Sequence, residues 1–174
     1  MHHNFEFSFQ NVLLRPVQEA DLELLRQWRN AKDNTRYLRR IDHITADAQK
    51  TWFRNSLESE DMIMFSIVDK ERGVLVGSAA IYDIDGVQAE IGRILIGDPQ
   101  AHGRKIGRNA VIGLTEFAFK ELRLTRLILH VYKDNIPACK IYRQAGYVTV
   151  TETADSEGKT ELLMERLSDT TIPL

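Results

Sequence analysis

Gln100-Ala-His-Gly-Arg-Lys-Ile-Gly-Arg108 is the stretch from which the rest of the chain can be read. The apolar run before it, Ile94-Leu95-Ile96, is short, β-branched and closed by Gly97-Asp98-Pro99, which reads as a buried strand. After it, in Asn109-Ala-Val-Ile-Gly-Leu-Thr-Glu-Phe-Ala-Phe119 and just beyond, Val111, Leu114, Ala118 and Leu122 recur at steps of three and four, one face of a helix. The glycines therefore stand where a strand turns into a helix. There the first backbone N–H groups have no partner inside the helix, and the helix dipole adds positive character. Gly103 and Gly107 let the backbone approach a ligand closely, and Arg104, Lys105 and Arg108 bring charge beside it. One reading is an anion cradle, most naturally for phosphate. The other is a tight surface turn with solvated basic residues. The spacing matches neither G-x-x-x-x-G-K-[ST] nor G-x-G-x-x-G.

A second stretch, Val131-Tyr-Lys-Asp-Asn-Ile-Pro-Ala-Cys-Lys-Ile-Tyr-Arg-Gln-Ala-Gly-Tyr147, follows the β-rich run Arg126–Val131. Asn135 reads as a helix N-cap, Pro137 lies in the first turn, and Gly146 lies just past the end. Ala138, Ile141, Tyr142 and Ala145 share one face. Asn135 and Tyr142 stand on that side, roughly 10 Å apart along the axis.

Together the two stretches resemble the GNAT superfamily of acetyl-CoA-dependent N-acetyltransferases. The first signature of that family, [Q/R]-x-x-G-x-[G/A] opening a helix, corresponds to Gln100-Ala-His-Gly103-Arg-Lys105, with Ile106-Gly107 following. The second corresponds to Asn135, Ala138, Tyr142 and Gly146-Tyr147. The resemblance runs from about Leu13 to Arg166. Lys105 departs from it, standing where the family usually has Gly or Ala. The resemblance implies acetyl-CoA as cosubstrate. It places the cosubstrate against Leu95 and Ile96 on the strand, Gln100, His102, Gly103, Arg104, Lys105, Ile106, Gly107 and Arg108 in the loop and helix start, and Asn135, Ala138 and Tyr142 on the second helix.

Length and composition bound the answer. The 174 residues suggest one domain, 1–174, with a sizeable core. A hydrophobic content of 43% and a charged content of 28% are ordinary for a globular protein. The net charge of −2 does not indicate a nucleic-acid grip. The single Cys139 excludes an intrachain disulfide and fits a reducing compartment. No apolar stretch is long enough to span a bilayer, and the N-terminus does not read as a signal peptide, so a cytoplasmic location and no membrane partner are expected. The chain is expected to act as a monomer or homodimer.

The alternation of Phe5, Phe7 and Phe9, continued by Val12-Leu13-Leu14, predicts a first strand or hairpin. Helices are expected over 21–30 and from Thr45 to about Glu58. Strands are expected over 62–68, 74–82 and 88–96, then at 126–131, with a closing hairpin at 147–152 and 160–166. Strand runs surround the helices, which makes the fold class α+β. The resemblance implies one GNAT-like domain with a mixed twisted sheet of about seven strands flanked by about four helices.

Acetyl transfer from a thioester to an amine needs a neutral amine, a stabilised carbonyl oxygen and a protonated leaving thiolate. Deprotonating a lysine-like amine, with a pKa of about 10.4, costs roughly 4–5 kcal/mol at pH 7. A carboxylate can act as the base, directly or through water, and a backbone N–H on the strand before the cradle can hold the oxyanion. Glu90, on the strand Gln88–Ile96, is the candidate base, sharing a strand face with Gly92 and Ile94; a solvated glutamate is the alternative. Gly92 suggests a bulge or close approach. Arg93 points the other way if the alternation holds, and a bulge would break that inference. Helix spacing makes Tyr142 a core aromatic, whereas the resemblance makes it the acid that protonates the thiolate. Asn135 caps its helix and, by resemblance, also contacts the cosubstrate. As side chains, His102 and His130 read as solvent and packing residues, Cys139 reads as a structural thiol, and no residue set has metal spacing.

By resemblance, the first two helices and their loop wall the acceptor pocket. Trp28-Arg29-Asn30 followed by a charged loop is similar to the branches acting on nucleotide-linked 4-amino sugars and on ribosomal-protein N-terminal alanine. Polyamine acetyltransferases are a third relative. Loop 31–44 carries Lys32, Arg36, Arg39 and Arg40 against Asp33 and Asp42, a positive balance that suits a nucleotide diphosphate better than a polyamine; a solvated loop is the alternative. The acceptor is thus a small-molecule amine, a nucleotide-linked amino sugar first, or a peptide N-terminus. A non-catalytic acyl-CoA-binding module is the reading from a different class.

Overall fold

The N-terminal alternation folds back on itself. Phe7–Phe9 (β1) and Val12–Pro16 (β2) pair antiparallel around a turn in which Gln10 takes a φ of 52°. In the computed structural model, which describes residues 3–35, 37, 43–155 and 158–169, they begin a sheet of eight strands. The other strands are Ile63–Asp69 (β3), Val74–Tyr82 (β4), Gln88–Ile96 (β5), Arg126–Tyr132 (β6), Val148–Ala154 (β7) and Thr160–Leu167 (β8). Their order is β1-β2-β3-β4-β5-β6-β8-β7, with every neighbouring pair antiparallel except β5 and β6. The fold is therefore the expected mixed α+β sheet. It has one strand more than the sequence suggested, because the first stretch splits into a hairpin.

The helices are Leu22–Asn30 (α1), the single turn Lys32–Thr35 (α2), Ala46–Glu58 (α3), Ile106–Lys120 (α4) and Ile136–Gln144 (α5). Thr45 caps α3 by accepting from the Ala48 amide at 3.2 Å, satisfying an N–H that the first turn leaves unpaired. Strand alternation divides the sheet between two layers. Phe65 and Ile67 of β3, Ile91 of β5 and Leu129 of β6 are buried with Leu114 and Phe117 of α4 and Cys139 of α5. Phe7 stacks on Phe117 with centroids 4.6 Å apart. On the opposite face Met64 and Leu75 pack with Leu22, Leu25 and Trp28 of α1 and Phe53 of α3.

The sheet is irregular at its centre. Ser78 pairs with Leu95 and Ala80 with Gly92, so β5 carries one residue more than β4 between these pairs. Arg93 absorbs it with a φ of 52°. A bulge increases local twist, and β5 parts from β6 just before it: their pairing is confined to Gln88–Arg126, Ala89–Leu127 and Glu90–Ile128. From Ile91 to Ile96 the edge of β5 turned toward β6 has no strand partner among the described residues. The bulge also corrects the face assignment along β5. Ile94 packs against the α4 core instead of sharing the face of Glu90, whereas Arg93 lies over the rings of Tyr82 and Trp52 at 5.4 and 5.9 Å.

Candidate active site

Three features converge on the gap between β5 and β6. The first is the loop that follows β5. Asp98 caps a short 3₁₀ turn, accepting from the Gln100 amide at 2.9 Å, and the chain then passes through Gly103 at φ 76° and Lys105 at φ 62° into α4. The amides of Gly103, Lys105, Ile106, Gly107 and Arg108 make no hydrogen bond among the described residues. A Cβ at Gly103 would meet nothing within 4 Å, and one at Gly107 would meet only Ile96 and Ile141 at ordinary contact distance. Five unpaired donors with open space in front of them form a cradle suited to a phosphate. Lys105 supplies the left-handed conformation that a glycine would adopt without strain.

Neighbouring turns hold the cradle in place. Arg72 bonds Asp98 at 2.6 Å, Asn11 donates to the Arg104 carbonyl at 3.1 Å, and Asn109 donates to Asn11 at 2.7 Å. Arg104, expected to lend its charge to the loop, instead reaches Glu71 at 2.5 Å and buried Asp69 at 3.2 Å. These two ion pairs tie the loop to the end of β3 and the turn after it. Lys105 and His102 are exposed, and Arg108 is half-buried.

The second feature is α5. Asn135 accepts from the Ala138 amide at 3.3 Å, the expected cap. Tyr142 stands two turns further on, its ring 6.2 Å from that of Tyr147, and its hydroxyl has no partner among the described residues. Burial, then proximity to Cys139, pushes that hydroxyl up to about 12, so it stays protonated at neutral pH. Cys139 is buried and its thiol is also raised, by burial first, which fits a structural thiol.

The third feature lies at the apex of the gap. The Tyr82 hydroxyl donates to Glu90 Oε1 at 2.5 Å, and His130 Nδ1 lies 3.1 Å from the same oxygen. The side chain of Glu90 is 14% exposed and that of His130 34%. Burial, then the bond to Glu90, raises the Tyr82 hydroxyl well above the ordinary phenol range, which keeps it a donor. Gly92 leaves room for this ring, since a Cβ there would lie 2.7 Å from the Tyr82 hydroxyl. Of these three, sequence reasoning singles out Glu90 as a candidate, passes over Tyr82 and reads His130 as a solvent and packing residue. Only the β4–β5 register, which sets Tyr82 opposite Glu90, and the parallel start of β6 bring them together.

The last turn of α1 overlies the end of β5: a Cβ on Gly97 would fall 2.1 Å from Trp28 Cγ. Asn30 exchanges two bonds of 2.9 Å with the backbone of Ile44, tying down the segment that enters α3. Burial first, and the charge of Arg93 second, presses the Arg29 guanidinium below its ordinary value. Neither Arg29 nor Arg93 has a carboxylate partner among the described residues. Arg36, Arg39, Arg40 and Asp42, and the side chain of Asp33, lie outside the described residues.

A family model described as an acetyltransferase (GNAT) domain matches residues 11–148. Acetyltransferase PseH of Campylobacter jejuni is 24% identical over 139 residues, covering 80% of this chain and 84% of the relative. A solved structure of spermidine N-acetyltransferase from Vibrio cholerae, in complex with CoA and spermine, superposes with a TM-score of 0.82 at 19% identity, over 90% of this chain and 95% of that one. Ribosomal-protein-S5-alanine acetyltransferase from Vibrio fischeri superposes with a TM-score of 0.81 at 18% identity, over 98% of this chain and 100% of that one. At such identities the two structures share the fold.

Proposed function

The chain belongs to the GNAT acetyltransferase family, and from that premise we propose that residues 1–174, acting as one domain, transfer the acetyl group of acetyl-CoA directly to the primary amine of a small acceptor. The observation that carries the reading is the coincidence of an unpaired β5 edge with five unpaired amides at its end. The amides of Gly103 and Lys105 through Arg108 would hold the pyrophosphate, and the free backbone of Ile91–Ile96 would receive the thioester arm. Acetyl-CoA supplies an activated acyl group.

The chain's own residues do the rest. The Glu90 carboxylate, held by Tyr82 and His130, takes a proton from the acceptor ammonium. The backbone N–H of Ile96, on the unpaired edge, stabilises the carbonyl oxygen as charge builds. Tyr142 donates its hydroxyl proton toward the departing sulfur. Gln100, His102, Asn135 and Ala138 line the same route.

For the acceptor, we favour one that carries an anionic group beside its amine, a nucleotide-linked amino sugar first. Arg29 and Arg93 are two guanidiniums without carboxylate partners among the described residues, and Trp52 and Tyr82 offer aromatic faces beside Arg93. A polyamine would need carboxylates where these arginines stand. The test is release of free thiol from acetyl-CoA with a panel of UDP-amino sugars, spermidine and Ala- or Ser-starting peptides. Turnover on the sugars, weakened by Arg93→Gln, supports the reading. Turnover confined to spermidine removes the anionic acceptor, and none with any amine removes the transfer.

A further inference from the structure

We propose that His130 is a proton-relay and positioning residue that drains Glu90 to solvent, making the base of this site a Glu90–His130 couple locked by Tyr82. The proposal rests on the acetyl-transfer reading. Its grounds are geometric. Glu90 Oε1 is shared by the Tyr82 hydroxyl at 2.5 Å and His130 Nδ1 at 3.1 Å. Residues on three adjacent strands thus meet at the carboxylate, just where β5 and β6 part. Tyr82 can only give a proton to this oxygen, whereas an imidazole can take one and pass it on through its other nitrogen. Glu90 is mostly enclosed, while His130 is one-third exposed, so the ring links the carboxylate to water.

The proton balance of the reaction gives the couple its task. An ammonium acceptor and a thioester yield an amide, a thiol and one surplus proton. The acceptor nitrogen loses two protons in all. One reaches sulfur, with Tyr142 giving its own proton and being reprotonated. The other is taken by Glu90 and must leave before the next turnover. In the relay, the carboxyl proton of Glu90 passes to Nδ1 of His130, and the imidazolium releases one to water, leaving Glu90 ionised again.

The charged surroundings of His130 leave Glu90 as its ionisable contact. Alternation puts Arg126 and Tyr132 on its face of β6, and Glu161 and Glu165 on the facing side of β8. Arg126 is held by Glu165 at 2.8 Å and by Gln88 at 2.7 Å. Tyr132 is engaged by Asp155 and by Lys159, and Arg93 lies over the Tyr82 ring. Glu90 is the group within hydrogen-bond distance of the His130 ring.

The test is His130→Gln, which keeps a hydrogen-bond donor toward Glu90 but cannot carry a proton. Acetyl-CoA affinity should be unchanged, and kcat at pH 7 in dilute buffer should fall about 10-fold or more. Because the defect is proton export, added imidazole should restore kcat in a saturable way, and the acid limb of the kcat–pH profile should move in the variant. Wild-type kcat in H130Q, independent of buffer, would overturn the relay while leaving acetyl transfer standing. A loss that imidazole does not restore would also overturn it, making His130 only a prop for Glu90. Absence of acetyl transfer by the wild-type protein would sink the relay together with the reading beneath it.

Discussion

Tyr142→Phe removes one oxygen and keeps the ring, and the structure lets its consequences be worked out separately for folding and for chemistry. The hydroxyl has no protein partner among the described residues, so its loss breaks no internal hydrogen bond and should change stability by less than about 1 kcal/mol. The chemistry is less forgiving. With the phenol pushed up to about 12, against about 8.5 for a thiol, complete proton transfer to a free thiolate would be uphill by about 3.5 units, or roughly 5 kcal/mol. Tyr142 therefore acts while charge is still building on sulfur, sharing its proton through a hydrogen bond and being reprotonated from the acceptor nitrogen, where few water molecules compete. Removing such a donor should lower kcat about 10²-fold, or roughly 2.7 kcal/mol of barrier. The assay is steady-state thiol release, with acetyl-CoA affinity measured separately by calorimetry and expected to be unchanged. The raised phenol also predicts that the kcat profile shows no fall due to Tyr142 below about pH 10, because the acid keeps its proton there. Wild-type turnover by Y142F, accompanied by a loss of stability above about 1 kcal/mol, would refute the reasoning and return Tyr142 to the core.

Three further outcomes are expected. Glu90→Gln should lower kcat by roughly 10²–10⁴-fold with acetyl-CoA affinity nearly unchanged, since Gln still accepts from Tyr82; equal turnover across pH 6–9 would make Glu90 a spectator. Buried Asp21 is penalised by desolvation, but Arg15, the Gln18 amide and the Ser66 hydroxyl outweigh that and hold its carboxyl below the usual range. Asp21→Asn should therefore cost about 3 kcal/mol in urea unfolding near pH 7. A depressed carboxyl stabilises above its unfolded pKa and loses that contribution on acidification, so the gap between wild type and D21N should narrow as pH falls below about 4. A gap that does not change with pH would contradict this. Gly97→Ala would set a methyl into the Trp28 ring; it should raise acceptor KM more than acetyl-CoA KM and cost about 1–3 kcal/mol of stability.

Much of this molecule was legible because its signals are local. The helix periodicity after Gly107, the cap at Asn135 and the alternation along β3 to β5 depend on neighbours a few residues apart, and each element lies close to where the pattern put it. What stayed hidden depends on register and on long-range contact. The pairing of Tyr82 with Glu90 needs the β4–β5 register, and the bulge at Arg93 reverses the side on which Ile94 lies. Alternation cannot reveal an inserted residue, although Gly92 hinted at it. From sequence Arg104 reads as part of the cradle, because charge near a glycine loop suggests a phosphate ligand. Its actual partners, Asp69 and Glu71, lie more than thirty residues upstream on the β3–β4 hairpin. His130 looked like a packing residue because its partner sits on a different strand, forty positions away.

The central claim is that the unpaired amides of Gly103 and Lys105–Arg108 hold the pyrophosphate of the acetyl donor. Calorimetric titration with coenzyme A, compared with pantetheine, which keeps the thiol arm but lacks the pyrophosphate, tests it most directly. One-to-one binding of coenzyme A, with pantetheine weaker by about 100-fold or more, is the predicted result, since two lost charge-assisted hydrogen bonds account for such a difference. Equal affinity for the two, or no binding of coenzyme A at about millimolar concentration, a level at which even a −4 kcal/mol interaction is detected, would contradict it.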